Sequence, residues 1–237
     1  MSNLAIIPAR GGSKRIPRKN IRNFLGAPLI KYSIDAAKRA KCFDEIMIST
    51  DDDEIARVAK KYGAKIPFMR SRKNSSDKAV LVDVMIEVIE EYKKLGRHFD
   101  YFCCITPTAP LIDARRLELG FEILKKKNAD EVMTVVSFSY PIQRAFRIKG
   151  GRLKMIWPEN INKNSQDFEK TYHDAGQFYW LKTDSFIKQK RLFAKDTIAL
   201  EIPESEAQDI DVEEDLKIAK LKYNLLSGRK KEGKNSG

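Results

Sequence analysis

The densest chemistry in the chain lies near its start. Directly after the apolar run LAIIP stand six basic side chains, Arg10, Lys14, Arg15, Arg18, Lys19 and Arg22, with no acid among them. Gly11 and Gly12 let the backbone approach a ligand without a Cβ in the way, and successive N–H groups in such a turn form an anion-binding concavity. Lysine and arginine add point charge and forked donors, and Ser13 adds a hydroxyl. This composition predicts a phosphate-binding loop. The spacing fits neither a P-loop nor the GxGxxG fingerprint, and a solvated basic turn between strand and helix is the alternative.

A second constellation lies near the other end, in the run QDIDV over 208–212. In an extended segment residues two apart face the same side, so Asp209 and Asp211 project together while Ile210 packs inward. Paired carboxylates of this kind suit a divalent cation that bridges phosphate oxygens. Asp211 followed by Glu214 also fits the N-cap and capping box of a final helix, and the two roles are compatible. Asp51 with Glu54, in STDDDE, reads as a capping box rather than a metal cluster. In TPTAP over 106–110, two prolines stiffen a loop whose Thr106 and Thr108 hydroxyls could reach substrate oxygens, or which simply joins a strand to a helix. Arg70 reads as a surface loop residue.

These residues need a scaffold. Strand patterns occur at 4–8, 45–49, 65–69, 100–105 and 131–137, and helical patterns at about 28–40, 52–62, 79–95 and 114–127, with Gly63 and Gly96 placed as C-caps. The alternation predicts an α/β fold with a Rossmann-like, mostly parallel sheet flanked by helices. Ligands in such sheets bind at the carboxyl ends of strands, where the 9–20 loop lies. After Ser137 the rhythm breaks: a hairpin AFRIKGGRLKMIW turns at Gly150 and Gly151, and the polar stretch PENINKNSQDFEK comes next. Strands return at 176–181 and 197–202, and a last helix spans about 212–226. No repeat or linker divides the chain, which predicts one domain over 1–226 with an insertion at 140–173, and a basic, disordered tail over 227–237.

Composition narrows the classes further. The chain has 237 residues, 42% of them hydrophobic, and no apolar run approaches the roughly 18 residues of a membrane span. Its apolar start is too short for a signal sequence, so no membrane association and a cytoplasmic location are expected. Cys103 and Cys104 fall in a buried strand, which with Cys42 predicts reduced thiols. His98 and His173 are the two histidines, which excludes a multi-histidine metal site. The net charge of +12 raises nucleic acid as a partner. However, the tail carries +3 of it, Lys125, Lys126 and Lys127 read as a solvated helix face, and no RNA- or DNA-binding signature is present. An acidic small molecule accounts for the charge more simply, and no nucleic-acid partner is expected.

The amino-terminal residues Arg10, Gly12, Ser13, Lys14, Ile16, Lys19 and Asn20 match the pattern ARxGSKxIxxKN. This resembles the opening motif of the CMP-sialate synthetase family, cytidylyltransferases that activate nine-carbon acidic sugars. Asp209, Ile210, Asp211, Asp215 and Leu216 match that family's DIDxxxDL segment. The segments CCITPTAP, PIQR (141–144), SQD (165–167) and YHDAGQFYW (172–180) are similar to its pseudaminic acid branch more than to its sialate branch. Thr106 stands where sialate enzymes carry glutamine, and Ala109 where they carry serine. The resemblance implies the fold of nucleotide-diphospho-sugar transferases and a reaction of CTP with a nonulosonic acid that yields CMP-sugar and pyrophosphate. It implies magnesium on Asp209 and Asp211, which with Lys19 are the catalytic candidates. Arg10, Gly11, Gly12, Ser13 and Lys14 would hold the triphosphate, and Asn20 and Arg70 the nucleoside. Thr106, Thr108, Arg144, Gln166, His173 and Gln177 are the sugar-site candidates, with Phe178 and Tyr179 suggesting a less polar wall nearby. The insertion would form a lobe that reaches over the partner in a homodimer. N-acetylneuraminate or legionaminate as the sugar, and a non-catalytic phosphate- or nucleic-acid-binding protein, are the alternatives.

Overall fold

Short apolar runs covered on both faces make the sheet, and amphipathic stretches between them make its cover. The computed structural model describes residues 1–232, with side chains as far as 228. Strand β1 (Asn3–Pro8) opens the chain, and a small ribbon of β2 (Asn23–Phe24) and β3 (Ala27–Pro28) leads into helix α1 (Leu29–Arg39). Next come β4 (Glu45–Ser49), α2 (Asp53–Lys61), the single turn α3 (Arg72–Ser75), α4 (Leu81–Lys94), β5 (Tyr101–Ile105), α5 (Ala114–Lys127) and β6 (Glu131–Ser137). The second half holds the hairpin β7 (Phe146–Lys149) and β8 (Arg152–Met155), the long strand β9 (Tyr172–Lys182), α6 (Thr183–Gln189), β10 (Thr197–Glu201) and α7 (Glu213–Glu232).

The main sheet has the order β10-β6-β9-β5-β1-β4. β1 pairs in parallel with β4 and β5, as β10 does with β6, whereas β9 runs antiparallel to both of its neighbours. The expected mostly parallel α/β sheet is therefore present, with one reversed strand at its centre. That strand returns from the insertion and closes the gap between β5 and β6.

Period-2 alternation divides the sheet's side chains between two cores. Ile7, Ile48, Cys103, Phe178 and Trp180 pack with Ile30, Ile34 and Leu117 on one face. Leu4, Ile6, Met47, Cys104 and Leu181 pack with Val84, Met85, Val88 and Phe186 on the other. A third cluster joins the two chemical segments: Ile16 of the basic loop and Ile210 between the paired aspartates are both buried with Phe24, Leu29, Leu216 and Ala219. The three cysteines are free thiols, Cys103 and Cys104 buried and Cys42 half-buried.

Several boundaries differ from expectation. The run 65–69 is not a strand: Lys65 makes a lone parallel bridge to Met47, and Pro67 cannot donate to a ladder. The segment instead caps the edge of β4, Lys65 N donating to Ile46 O at 2.8 Å and Arg70 N to Thr50 O at 2.8 Å. Asp52, not Asp51, caps α2, accepting from the backbone of Glu54 and Ile55. The last helix continues beyond 226 to Glu232, because a lone glycine such as Gly228 costs only about 1 kcal/mol and no proline stands after it. The tail expected to be disordered thus begins within this helix, and residues 233–237 lie outside the described residues. The insertion holds the expected hairpin, with Gly150 and Gly151 at φ +57° and +72° as a tight two-residue turn requires. Among the described residues no helix is long and apolar enough to cross a membrane.

One close approach fixes how α5 meets β9. A Cβ at Gly120 would stand 2.9 Å from Phe178 Cε2 and 3.0 Å from Trp180 Cδ1. Both rings are fully buried, and the Trp180 indole N–H donates to Leu117 O at 2.9 Å, so neither can yield. Gly120→Ala would gain about 1 kcal/mol of helix propensity, yet the overpacking costs about 1–3 kcal/mol. The variant should therefore unfold at lower urea concentration than the parent with an unchanged m-value. An equal or higher midpoint would show that the helix can move away from the sheet.

Candidate active site

β1 ends at Pro8, and the chain turns across the carboxyl edge of the sheet between the ends of β4 and β5. Gly11 is forced by space: a Cβ there would lie 2.6 Å from Asp52 Oδ2. Its N–H donates to Asp51 Oδ1 at 2.9 Å. Arg18, in the left-handed region at φ +56°, forms ion pairs with Asp52 and Glu54. That guanidinium, together with the α2 backbone N–H groups, holds the Asp52 carboxyl at about 2. Arg18 thus braces the loop instead of facing a ligand. The Asn20 amide donates to Arg10 O at 2.9 Å and closes the loop on itself.

The remaining cations face inward or along the rim. Arg10 Nη1 donates to Asp77 Oδ1 at 3.0 Å and to Ser76 O at 3.1 Å, and Lys14 pairs with the same carboxylate. Lys14 and then Arg10 hold Asp77 below the usual carboxylate range. Asp77 therefore marks where these two cations accept an anion. Arg10, Ser13, Lys14, Lys19 and Asn20 line a cavity of about 200 Å³, with Pro107 and Thr108 supplying the far wall.

Lys19 carries the decisive contact. Its ammonium donates to Ile210 O at 2.6 Å and to Asp211 Oδ1 at 3.2 Å, and Arg15 reaches the same oxygen at 2.7 Å. The basic loop and the acidic pair, at opposite ends of the sequence, are one site. The expected Asp211–Glu214 capping box does not form: Asp215 instead accepts from the N–H groups of Asp211 at 2.8 Å and Val212 at 2.9 Å. Asp211 is left to the cations. Asp209 stands in a recess open to solvent, where loss of hydration and then the nearby Asp211 push its carboxyl up while Lys19 opposes the shift. Gly176, at φ +64°, makes room for it, with a Cβ there falling 3.3 Å from that of Asp209.

Two carboxylates form an all-oxygen donor set that leaves phosphate and water to complete an octahedral cation, the arrangement magnesium favours. Among the described residues no group of three or more acids, histidines or cysteines gathers to make a self-sufficient metal cage. The pair therefore suits a cation that arrives with a polyphosphate.

A second cavity, of about 280 Å³, is lined by Asp209 together with Val136, His173, Asp174, Ala175, Glu204, Ala207, Gln208 and Lys222. His173 thus shares a cavity with Asp209. Gln177 does not, being 1% exposed, with its amide donating to Glu206 O. Phe178 is wholly buried in the core and cannot wall a sugar site, because on β9 it faces α5. Tyr179 faces the other way and donates to Asp174 Oδ2 at 2.5 Å. Thr108 lines the first cavity, whereas Thr106 is tied through its backbone to Gln177 and Ser33. Arg144 and Gln166, both in the insertion, line neither cavity, and Arg144 reaches Ser165 Oγ at 3.4 Å. Arg70 is not a surface residue. At 7% exposure its guanidinium donates through Nε to Ser49 Oγ at 2.9 Å and also bonds Ser49 O, and burial lowers its pKa to about 10. Since Ala9 N donates to the same carbonyl, Arg70 buttresses the loop's entrance. Arg15 belongs to the expected basic loop, whereas Lys222 was not among the expected site residues, and only the fold brings it in.

The chain is similar to known proteins over most of its length. The chain is 41% identical over 226 residues to a pseudaminic acid cytidylyltransferase of Campylobacter jejuni subsp. jejuni serotype O:2, a match that covers 95% of this chain and 97% of that one. It is 32% identical to the CMP-N,N'-diacetyllegionaminic acid synthase of Legionella pneumophila, with 89% and 91% covered. A CMP:2-keto-3-deoxy-manno-octonic acid synthetase solved with CTP superposes with a TM-score of 0.70 at 16% identity, over 96% of this chain and all of that one, which shows a shared fold. The family profile described as Cytidylyltransferase matches residues 4–216, from β1 through the acidic pair to the start of α7, and the chain belongs to the cytidylyltransferase family.

Proposed function

We propose that this enzyme transfers the cytidylyl group of CTP to the anomeric hydroxyl of a nonulosonic acid, pseudaminic acid above the others, and releases pyrophosphate. The observation that carries this reading is Lys19, which joins the anion-binding loop to Ile210 and Asp211. A triphosphate in the first cavity would draw Arg10 and Lys14 from Asp77. Ser13 and the Gly12 backbone would complete its cradle. The sugar would occupy the second cavity, with His173 and Asp209 at its wall. The hydroxyl oxygen then forms a bond to the α-phosphorus as the bond to the bridging β-oxygen breaks, and the hydroxyl proton is lost to solvent. Transfers of this kind depend mainly on positioning and on neutralising charge. Asp209 and Asp211 would hold magnesium, which neutralises the phosphate oxygens. Lys19 positions Asp211, and Arg10 and Lys14 stabilise the departing pyrophosphate.

The 41% identity to a pseudaminic acid enzyme favours that sugar. A site built around one sugar's polar groups leaves buried partners unpaired when another enters, at about 1–3 kcal/mol each, or roughly ten- to hundredfold in rate. Pyrophosphate release should require CTP, a nonulosonic acid and a divalent cation together, and kcat/KM for pseudaminate should exceed that for N-acetylneuraminate at least tenfold. Release with other nucleotides at equal rate, or after chelation, would overturn the transfer assignment. Equal kcat/KM for N-acetylneuraminate would overturn the sugar alone.

The insertion supports a homodimer. Ile148, Leu153, Ile156, Trp157 and Ile161 are exposed on or beside its hairpin, which pairs with no strand of the main sheet. Exposed apolar side chains of this kind on a separate ribbon, with Ile148 paired opposite Leu153, suit burial against a second copy. Arg144 and Gln166 would then serve the partner's sugar cavity. Light scattering should give twice the 27.2 kDa chain mass at assay concentrations. An active monomer would refute this.

A further inference from the structure

The proposed sugar carries a carboxylate on the carbon that bears the reacting hydroxyl, so the cation that reads it must stand close to Asp209. The second cavity holds three acids: Asp174, Glu204 and Asp209. Two of them are already supplied with donors, Asp174 by Tyr179 Oη at 2.5 Å and Gly176 N at 2.8 Å, and Glu204 by Ser139 Oγ at 2.9 Å. Apart from His173, Lys222 of α7 is the one basic residue on the lining. Its ammonium is anchored from behind, donating to Glu204 O at 2.9 Å and to Ala207 O at 2.8 Å. An ammonium has three donors, and among the described residues no third acceptor meets this one. Its partial burial also lowers its pKa. A half-buried, pre-positioned ammonium with one donor left is suited to a carboxylate, since little ordering is needed to make the new bond.

The geometry points to Lys222 as the residue that binds the sugar's carboxylate, in the cavity it shares with Asp209 and His173. This rests on the proposed function and deepens it, assigning acid recognition to the carboxyl-terminal helix rather than to the arginines of the insertion. Lys222 also ties the 204–207 turn to α7, so a loss of activity alone would not separate recognition from support. The discriminating quantity is the preference for the acid over its C1 methyl ester, which keeps the anomeric hydroxyl and loses the charge.

The test uses the nonulosonic acid that the wild-type enzyme turns over fastest, with CTP saturating. Wild type should favour the acid over the ester at least tenfold in kcat/KM. Lys222→Met, which keeps the aliphatic stem, should raise KM for the acid at least tenfold, leave KM for CTP within twofold and bring the acid-to-ester ratio near one. Lys222→Arg, which keeps the charge should the methionine variant not fold, should retain most of the ratio. An undiminished ratio in Lys222→Met, or its collapse in Lys222→Arg, would overturn the inference while cytidylyl transfer by wild type stood. No pyrophosphate release from any such sugar by wild type would instead remove the functional reading itself.

Discussion

The ammonium of Lys19 is where the two ends of the chain become one site. It bonds the carbonyl of Ile210 and the carboxylate of Asp211, 191 and 192 positions further on. Hydrophobic burial brings the segments together, with Ile16 and Ile210 in one cluster under α7, and the charge contact sets their register. The side chain of Lys19 is 19% exposed and that of Asp211 42%, so the contact is shielded from solvent on the lysine side and open on the other. Everything chemical depends on that closure, because the loop alone can bind an anion and the aspartates alone can bind a cation, but transfer needs both on one phosphate.

Around this contact the structure spends acids on holding cations in place. Asp52 fixes Arg18, Asp77 gathers Arg10 and Lys14, and Asp211 takes Arg15 and Lys19. Without these partners five like charges on one short loop would repel each other. These pairs are of two kinds. Arg18–Asp52 belongs to the fold, since Asp52 also caps α2, whereas the exposed Asp77 can be replaced by a ligand with more charge.

Much of this arrangement is legible in the chain itself. The basic loop and the DID run are short, and their spacing decides what faces what, so both survive being read without tertiary information. The sheet's alternation is equally visible because parallel strands buried on both faces leave unmistakable apolar runs. The features that escape such a reading depend on distant partners. β9 alternates like any strand, and nothing local states that it runs antiparallel between β5 and β6. Pro67 argues against a strand at 65–69, but only the exposed edge of β4 explains why the segment lies beside it. Arg70 has the composition of a surface residue and becomes buried because the end of β4 offers it Ser49. Asp215 displaces the anticipated capping box because its carboxylate reaches the N–H groups of Asp211 and Val212, a choice between neighbouring acids that spacing leaves open.

The proposed cytidylyl transfer assigns Asp211 to the metal–nucleotide centre rather than to the cap of α7. Binding of manganese, as a paramagnetic stand-in for magnesium, can be followed by electron paramagnetic resonance in the presence of CTP, in wild type and in Asp211→Asn. With Asp215 still holding the backbone, the variant should remain folded while its affinity for manganese with CTP falls at least tenfold. Unchanged manganese affinity in the folded variant would contradict that role for Asp211.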